Sequence, residues 1–556
     1  MRFKGDIYLA GVMILIGCVL LAIVFGVFDS EDRADATIEF EDWLDYDTAR
    51  IVGFGGPIEI EEGRIHAVGI GNAEIVNEDG SRYTIRILPA DAVLVLMDGQ
   101  SNAAYYQPVD PAGAIPPQLG QAFYFGYADR MPSGATEDIS ECKFYDFMDP
   151  ASGELRVGDK GPAFARYYGE LTGKKVIWIS LGIPGRMIST WGPTGNAWLQ
   201  NVKVMDAAVP LIPSGFRIAE TFVIWSQGES DYVRDTGYAH YLTAWKDMHD
   251  RAATAWHVDS GAWFLAEGRD DTCGWVNDAF KELSETVDGV HVIAEGIASS
   301  FSVDNGLMHT DNLHYSQQGD NSIAAACAYG IAKLQGQEIT GRTPIFLQES
   351  IIGCDIGETV DIGPVVCRNV DGNITRLEAT WTGAPDTSTA GIVTVDGTTS
   401  MPDMLLPGCP DPVARILVGY VGVVDGLEYI ENADGGLTVI GHEWTLADAT
   451  IPETVDGTSV TAVADYAVMW GPWTHISIPD TVTSVGYRAF QSIDRAQSAY
   501  IGDSLATLGN VAFTPIKFFE SGQEVGINAY TSDPSLIHGQ WEWDGSNAAT
   551  LYKVIV

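Results

Sequence analysis

Between residues 91 and 337, apolar runs of strand length alternate with amphipathic stretches of helix length. The runs end at Met97, Ser180, Trp225, Leu265 and Ala294, and helical patterns cover 163–171, 238–256, 276–287 and 321–335. A strand that is apolar throughout has both faces buried, and parallel strands need long crossovers that are usually helices. The pattern therefore predicts a parallel sheet covered on both faces, a three-layer α/β/α domain. Ligands of such sheets bind beyond the carboxyl ends of the strands, so the residues following each run are where chemistry is sought.

Directly after Ala92-Val93-Leu94-Val95-Leu96 comes Met97-Asp98-Gly99-Gln100-Ser101-Asn102, which sets a serine at a strand-to-turn break. A serine hydroxyl is a weak nucleophile until a base takes its proton and donors hold the oxyanion. The run Lys175 to Ser180 leads into Leu181-Gly182-Ile183-Pro184-Gly185-Arg186-Met187-Ile188-Ser189-Thr190-Trp191, where Gly185 can bring a backbone N–H close to a substrate. The run Phe222 to Trp225 leads into Ser226-Gln227-Gly228-Glu229-Ser230-Asp231, where Gln227 offers an amide. Ahead of the 321–335 pattern stands Asp311-Asn312-Leu313-His314, a carboxylate placed to orient an imidazole. Taken singly, each has a plainer reading. A Gly-x-Ser is usually a turn, a histidine a satisfied polar group, Trp191 a core residue, and Glu229 and Asp231 structural contacts. His309 lies near His314 but lacks the same spacing from an aspartate.

The four blocks occur in one order and together resemble the SGNH-hydrolase superfamily, within it the sialate O-acetylesterase and acetylxylan esterase group of carbohydrate esterases. The resemblance implies Ser101 as nucleophile, His314 as general base and then acid, and Asp311 as the carboxylate orienting the ring. It implies an oxyanion hole from the N–H groups of Ser101 and Gly185 and the side chain of Gln227, with Gln100, Asn102, Trp191 and Glu229 binding substrate or supporting the site. The second block departs from the family, reading Pro184-Gly185-Arg186-Met187 where a Gly-Gly-Thr-Ser type of run is usual. No metal and no other cofactor is implied.

A chain of 556 residues exceeds one core, and about 150 residues per domain suggests three or four. The apolar run 7–28 follows Arg2 and Lys4 and precedes acidic residues; as a helix it would span about 33 Å, enough for a bilayer. It predicts a transmembrane anchor and a membrane-anchored, extracytoplasmic protein at the cell surface, with signal cleavage, or lipidation at Cys18, as competing readings. Residues 29–90 read as a linker and small β-rich lead-in, 91–341 as the hydrolase, 342–425 as a small Ig-like β-sandwich and 526–556 as a tail or cap. Between them, 426–525 repeats itself. Ile451-Pro452-Glu453-Thr454-Val455, Ile478-Pro479-Asp480-Thr481-Val482 and Ile501-Gly502-Asp503-Ser504-Leu505 begin units in which Ala467, Ala489 and Ala512 recur. Such units are similar to BspA-type leucine-rich repeats and predict a short solenoid. Seven cysteines are too few for a disulfide scaffold, although Cys354, Cys367 and Cys409 crowd one region and leave a bridge open.

A net charge of −44 argues against nucleic acid and anionic membrane surfaces as partners. The expected function is a carbohydrate O-acetylesterase acting on sialate- or xylan-type acetylated glycans. Its partners are then that substrate, the membrane through the N-terminal helix, and a surface ligand of the repeats. The alternatives are an adhesin or glycan-binding protein using the hydrolase fold as a platform, and a lipase or thioesterase of the same superfamily.

Overall fold

A computed structural model describes residues 34–554 except 106–109, 235, 257, 259–261, 304, 310, 340–344, 349, 370–372, 401–404, 406–410, 444–447, 470–472, 492, 494–495, 515, 521–522, 525–533, 544 and 546–549. The site rests on one sheet, built from β1 (Ala90–Gly99), β2 (Ala122–Gly126), β3 (Lys143–Asp146), β4 (Lys175–Ser180), β5 (Phe216–Ser226), β6 (Trp263–Ala266) and β7 (Val290–Ile293). Its order is β3-β2-β4-β1-β5-β6-β7. β4 runs parallel to β1 and β2, β6 runs parallel to β5 and β7, and β3 turns back antiparallel on β2. Every residue of β4 is buried, as are the last eight of β1, which is why these runs are mostly apolar.

Six helices accompany this sheet: α1 (Lys160–Thr172), α2 (Asn196–Ala208), α3 (Glu229–Val233), α4 (Tyr238–Ala255), α5 (Asp270–Thr286) and α6 (Gln317–Leu334). α1 packs against α6 and α4 against α5. The buried faces recur at helical spacing, as in Tyr241, Leu242, Trp245, Met248 and Ala252 of α4. The α6 start is capped by Ser316, whose hydroxyl accepts from Gly319 N.

Over the described chain, 37% is strand and 22% helix, and the strands are divided among seven sheets. A fold class centred on an α/β/α hydrolase with appended small modules therefore does not describe the protein. The physical reason is that, among the described residues, the α-helices fall between Lys160 and Leu334, while period-2 alternation builds strands before and after that span. Among the described residues no helix is long and apolar enough to cross a membrane. The expected anchor at 7–28 lies outside the described residues, and the membrane-anchored, cell-surface placement is withdrawn.

The described residues up to Asp91, with Pro150–Ser152 and Pro213–Arg217, form one unit, and the remainder forms a second. The first unit holds two small sheets over its own core of Ile58, Ile65, Ala67, Ala73, Ile75, Ile85 and Ile87. Alternation is visible in Ile85 and Ile87, both buried, around the exposed Arg86. In the second unit, the strands after Leu427 stack in two parallel ladders. One runs from Leu437–His442 through Thr458–Val463 and Ser484–Val485 to Thr507–Leu508, the other from Ala449–Thr450 through His475–Ile478 to Ser498–Ile501. Successive turns bury equivalent residues: Ala467, Ala489 and Ala512, with Phe490 and Phe513 stacked at 5.1 Å. This core continues through Trp541 and Leu551, because Gly539–Trp543 pairs antiparallel with Ser498–Ile501. Cys354 and Cys367 are free thiols, so no bridge joins these two; Cys409 lies outside the described residues.

Candidate active site

The three central strands deliver their loops side by side. Past the strand ends, Leu181 N donates to Met97 O (2.8 Å), Ile183 N to Gly99 O (2.9 Å) and Gln100 N to Ser226 O (3.1 Å). At Gly99 φ is +139°, and a Cβ there would lie 1.8 Å from Ser226 O, so only glycine fits between these strands. The chain then turns tightly, with Ala103 N and Ala104 N both donating to Gln100 O (2.9 Å each). Ser101 stands on this turn, largely buried. Among the described residues no hydrogen bond engages its hydroxyl, so the Ser101–His314 contact is not closed here. Such contacts often tighten only when substrate binds.

Beneath the turn, Asp98 is fully buried and accepts from Gly99 N (2.7 Å), Asn201 Nδ2 (2.9 Å) and Trp191 Nε1 (3.2 Å). Burial pushes its pKa up to about 8, against the lowering effect of these three donors. Trp191 is thus a buried brace against Trp225 (5.2 Å between rings), and its indole turns toward Asp98.

Asn102 joins the serine turn to the histidine turn. Its Nδ2 donates to Leu313 O (3.1 Å) and Glu229 Oε1 (2.7 Å), and its Oδ1 accepts from Tyr315 N (3.2 Å). The backbone on both sides of His314 is therefore held by the residue after Ser101. Glu229 is buried, and its pKa is raised by that burial, with Asn102, His314 and Lys160 among the groups opposing the rise. Gln100 is likewise buried, and its Oε1 accepts from Ser230 N (3.0 Å). Gln100 and Glu229 support the loops from within.

The Asp311–His314 turn closes on itself. Asp311 Oδ1 accepts from Leu313 N and His314 N (3.0 Å each), and Oδ2 lies 2.7 Å from His314 Nδ1. Burial alone would raise the Asp311 pKa, but the His314 ring and the two backbone donors outweigh it and bring the value down to about 2. The left-handed Asn312 (φ +50°) is pinned by Arg269, whose Nη1 donates to its O (2.8 Å) and Oδ1 (2.9 Å). His309 takes part through its backbone, donating to His314 O (2.8 Å).

The two remaining expected donors are placed differently. Gly185 sits at an exposed left-handed position (φ +67°), and a Cβ there would meet nothing within 4 Å. Gly182 is the glycine pressed on the serine turn, where a Cβ would lie 2.6 Å from Ala104 N. The Gln227 amide is committed inward: Nε2 donates to Asp231 Oδ2 (2.5 Å) and Arg186 O (3.0 Å), and Oε1 accepts from Tyr241 OH (2.7 Å). An amide has two N–H groups, and both are accounted for. In this arrangement the Gln227 side chain holds the Gly185–Arg186 loop through Arg186 O and Asp231.

Sequence reading missed a buried charge cluster at the start of α1. Lys160 Nζ lies 2.5 Å from Asp320 Oδ1 and 3.3 Å from Asp159 Oδ1, and 5.7 Å from the Tyr315 ring. Burial raises both carboxyl pKa values, with Lys160 opposing the rise. Asp98 and Arg269 were also missed. Asp98 alone left a signal, a charge directly at the end of an apolar run.

No protein-family model matches the chain, and no curated protein matches it. Several solved structures are similar to it at a distance. One is a protein from Arabidopsis thaliana, 14% identical, covering 45% of this chain and 100% of its own, with a TM-score of 0.33. Another is a carbohydrate acetylesterase from Xanthomonas citri, 12% identical, covering 69% of this chain and 96% of its own, with a TM-score of 0.31.

Proposed function

We propose that this chain is a serine esterase that removes acetyl groups from acetylated carbohydrate, of the sialate or xylan type. One observation carries the reading: Asn102 hydrogen-bonds the backbone on both sides of His314, so the serine turn and the Asp311–His314 turn are held as one assembly. In the reaction Ser101 Oγ attacks the acetyl carbonyl while His314 Nε2 accepts its proton. Asp311 keeps the ring proton on Nδ1 and stabilises the imidazolium that forms. The N–H groups of Ser101 and Gly185 receive the oxyanion. Collapse expels the sugar hydroxyl, protonated by His314, and leaves acetyl-Ser101. Water, deprotonated by the same imidazole, then releases acetate and restores the serine.

The test is Ser101→Ala assayed on 4-nitrophenyl acetate and on acetylated glycans, with fluorophosphonate labelling of the wild type. Turnover should fall by about 10⁵–10⁶ and labelling should depend on Ser101. Unchanged hydrolysis in the variant would end the assignment.

A further inference from the structure

The second unit carries an open cavity of about 940 Å³ that neither the Ser101 turn nor the expected mechanism uses. One wall is formed by Arg269 and Asn312, the pair that pins the Asp311–His314 turn. The opposite wall comes from strands and turns between residues 348 and 486, including Arg415, Glu428 and Tyr466. The residue between Asp311 and Leu313 is therefore shared by the candidate active site and the cavity.

We infer that this cavity is a subsite for the non-reacting sugar residues of a neutral oligosaccharide, an inference that rests on the esterase reading of the adjoining turn. The charges around it are mixed, Arg269 and Arg415 against Asp271, Glu428 and Asp465, which offers no net attraction to an anionic ligand. The chain's charge of −44 points the same way. Sugar hydroxyls both donate and accept, and this wall supplies both kinds of partner. Several are already oriented: Glu428 accepts from Tyr420 OH (2.9 Å), and Arg269 is held by Asn312 and Asp271. Tyr466 adds an aromatic ring braced edge-on by Tyr487 at 5.4 Å, and Ile392 adds apolar surface that is 43% exposed. Aromatic and aliphatic groups among polar ones suit the C–H faces of pyranose rings. The volume lies at the upper end of the range for small-molecule sites, room for several linked sugars.

The experiment uses the full chain, with xylohexaose as the binding probe and acetylated xylohexaose and 4-nitrophenyl acetate as substrates. Two variants alter the cavity without touching the serine or histidine turns: Tyr466→Ala removes the ring, and Ile392→Trp fills space from an exposed position. Calorimetry should show xylohexaose binding to the wild type, weakened roughly tenfold or more in each variant. The kcat/KM for acetylated xylohexaose should fall by a similar factor while that for 4-nitrophenyl acetate stays within about twofold. Absence of wild-type binding, preference for sialyllactose, binding indifferent to both variants, or equal loss on both substrates overturns the inference. If xylohexaose binds through the cavity but 4-nitrophenyl acetate is not hydrolysed, the esterase reading fails and the subsite stands.

Discussion

Asp311→Asn separates the electronic role of the carboxylate from its structural one. The amide oxygen can still accept from Leu313 N and His314 N, so the turn survives. Its NH₂ group, however, faces His314 Nδ1, which lies 2.7 Å from Oδ2 in the native chain. The ring must then accept at Nδ1 and carry its proton on Nε2, the atom needed to take the Ser101 proton. Turnover of 4-nitrophenyl acetate should fall by about 10⁴, the usual cost of the wrong tautomer. Stability gives a second readout. A pKa held at about 2 against an ordinary 3.8 corresponds, at ~1.4 kcal/mol per unit, to about 2.5 kcal/mol. The Asp311 side chain is only 22% exposed, so solvent screening removes little of this. Because the folded-state value is depressed, the contribution is present in full above the unfolded pKa and is lost as pH falls through about 2. Urea unfolding of wild type and variant should therefore differ most near pH 5 and converge between about pH 4 and 2. Turnover within tenfold of wild type, or unfolding curves that stay parallel across that window, would refute the assignment of Asp311.

Asn102→Ala should lower stability by about 2–4 kcal/mol, because Glu229 Oε1, Leu313 O and Tyr315 N lose a partner in a buried setting. Turnover should fall with it, and a variant of wild-type stability and rate would sever the proposed link between the two turns. Gln227→Ala removes one buried partner each from Asp231 and Tyr241 OH, so it should depress the melting temperature by several degrees. A stable variant whose kcat alone drops by about 10²–10³ would restore Gln227 as an oxyanion donor. Gly182→Ala should cost far more activity than Gly185→Ala, since the first Cβ presses on Ala104 N at 2.6 Å and the second meets nothing within 4 Å. For Gly185→Ala the expected penalty is about 1 kcal/mol of left-handed strain; the reverse ranking by rate and thermal melt would contradict the loop geometry.

The parts of the molecule legible in the sequence are those in which burial acts on consecutive residues. The apolar runs before Ser101, Ser180 and Ser226 are strands because each is buried on both faces, and the 238–256 pattern is a helix at Tyr238–Ala255 because one stripe of it is covered. β3 left a weaker trace, being antiparallel and only partly buried. α2 escaped notice because Gln200 and Asn201 sit on its buried face, where a periodicity argument expects apolar residues. Asn201 is there to donate to Asp98, a partner more than a hundred residues away.

The site divides along the same line. Asp311 and His314 lie within one turn of chain, so their contact is local and their spacing reveals it. The Gln227 amide is of the right type for an oxyanion donor, but spacing could not show that Asp231 and Tyr241 set its direction. The Lys160 cluster assembles residues 159, 160 and 320, whose meeting depends on α1 packing against α6. A buried lysine between two carboxylates beside Tyr315 is expensive unless every member is paired, so it constrains how α6 can sit. Since α6 begins at Gln317, three residues after His314, the cluster fixes the chain just beyond the imidazole, while Asn102 and Arg269 fix it before and across. His314 is thus steered both by Asp311, near enough in sequence to be read from spacing, and by Asn102, Arg269 and the Lys160 cluster, which are not.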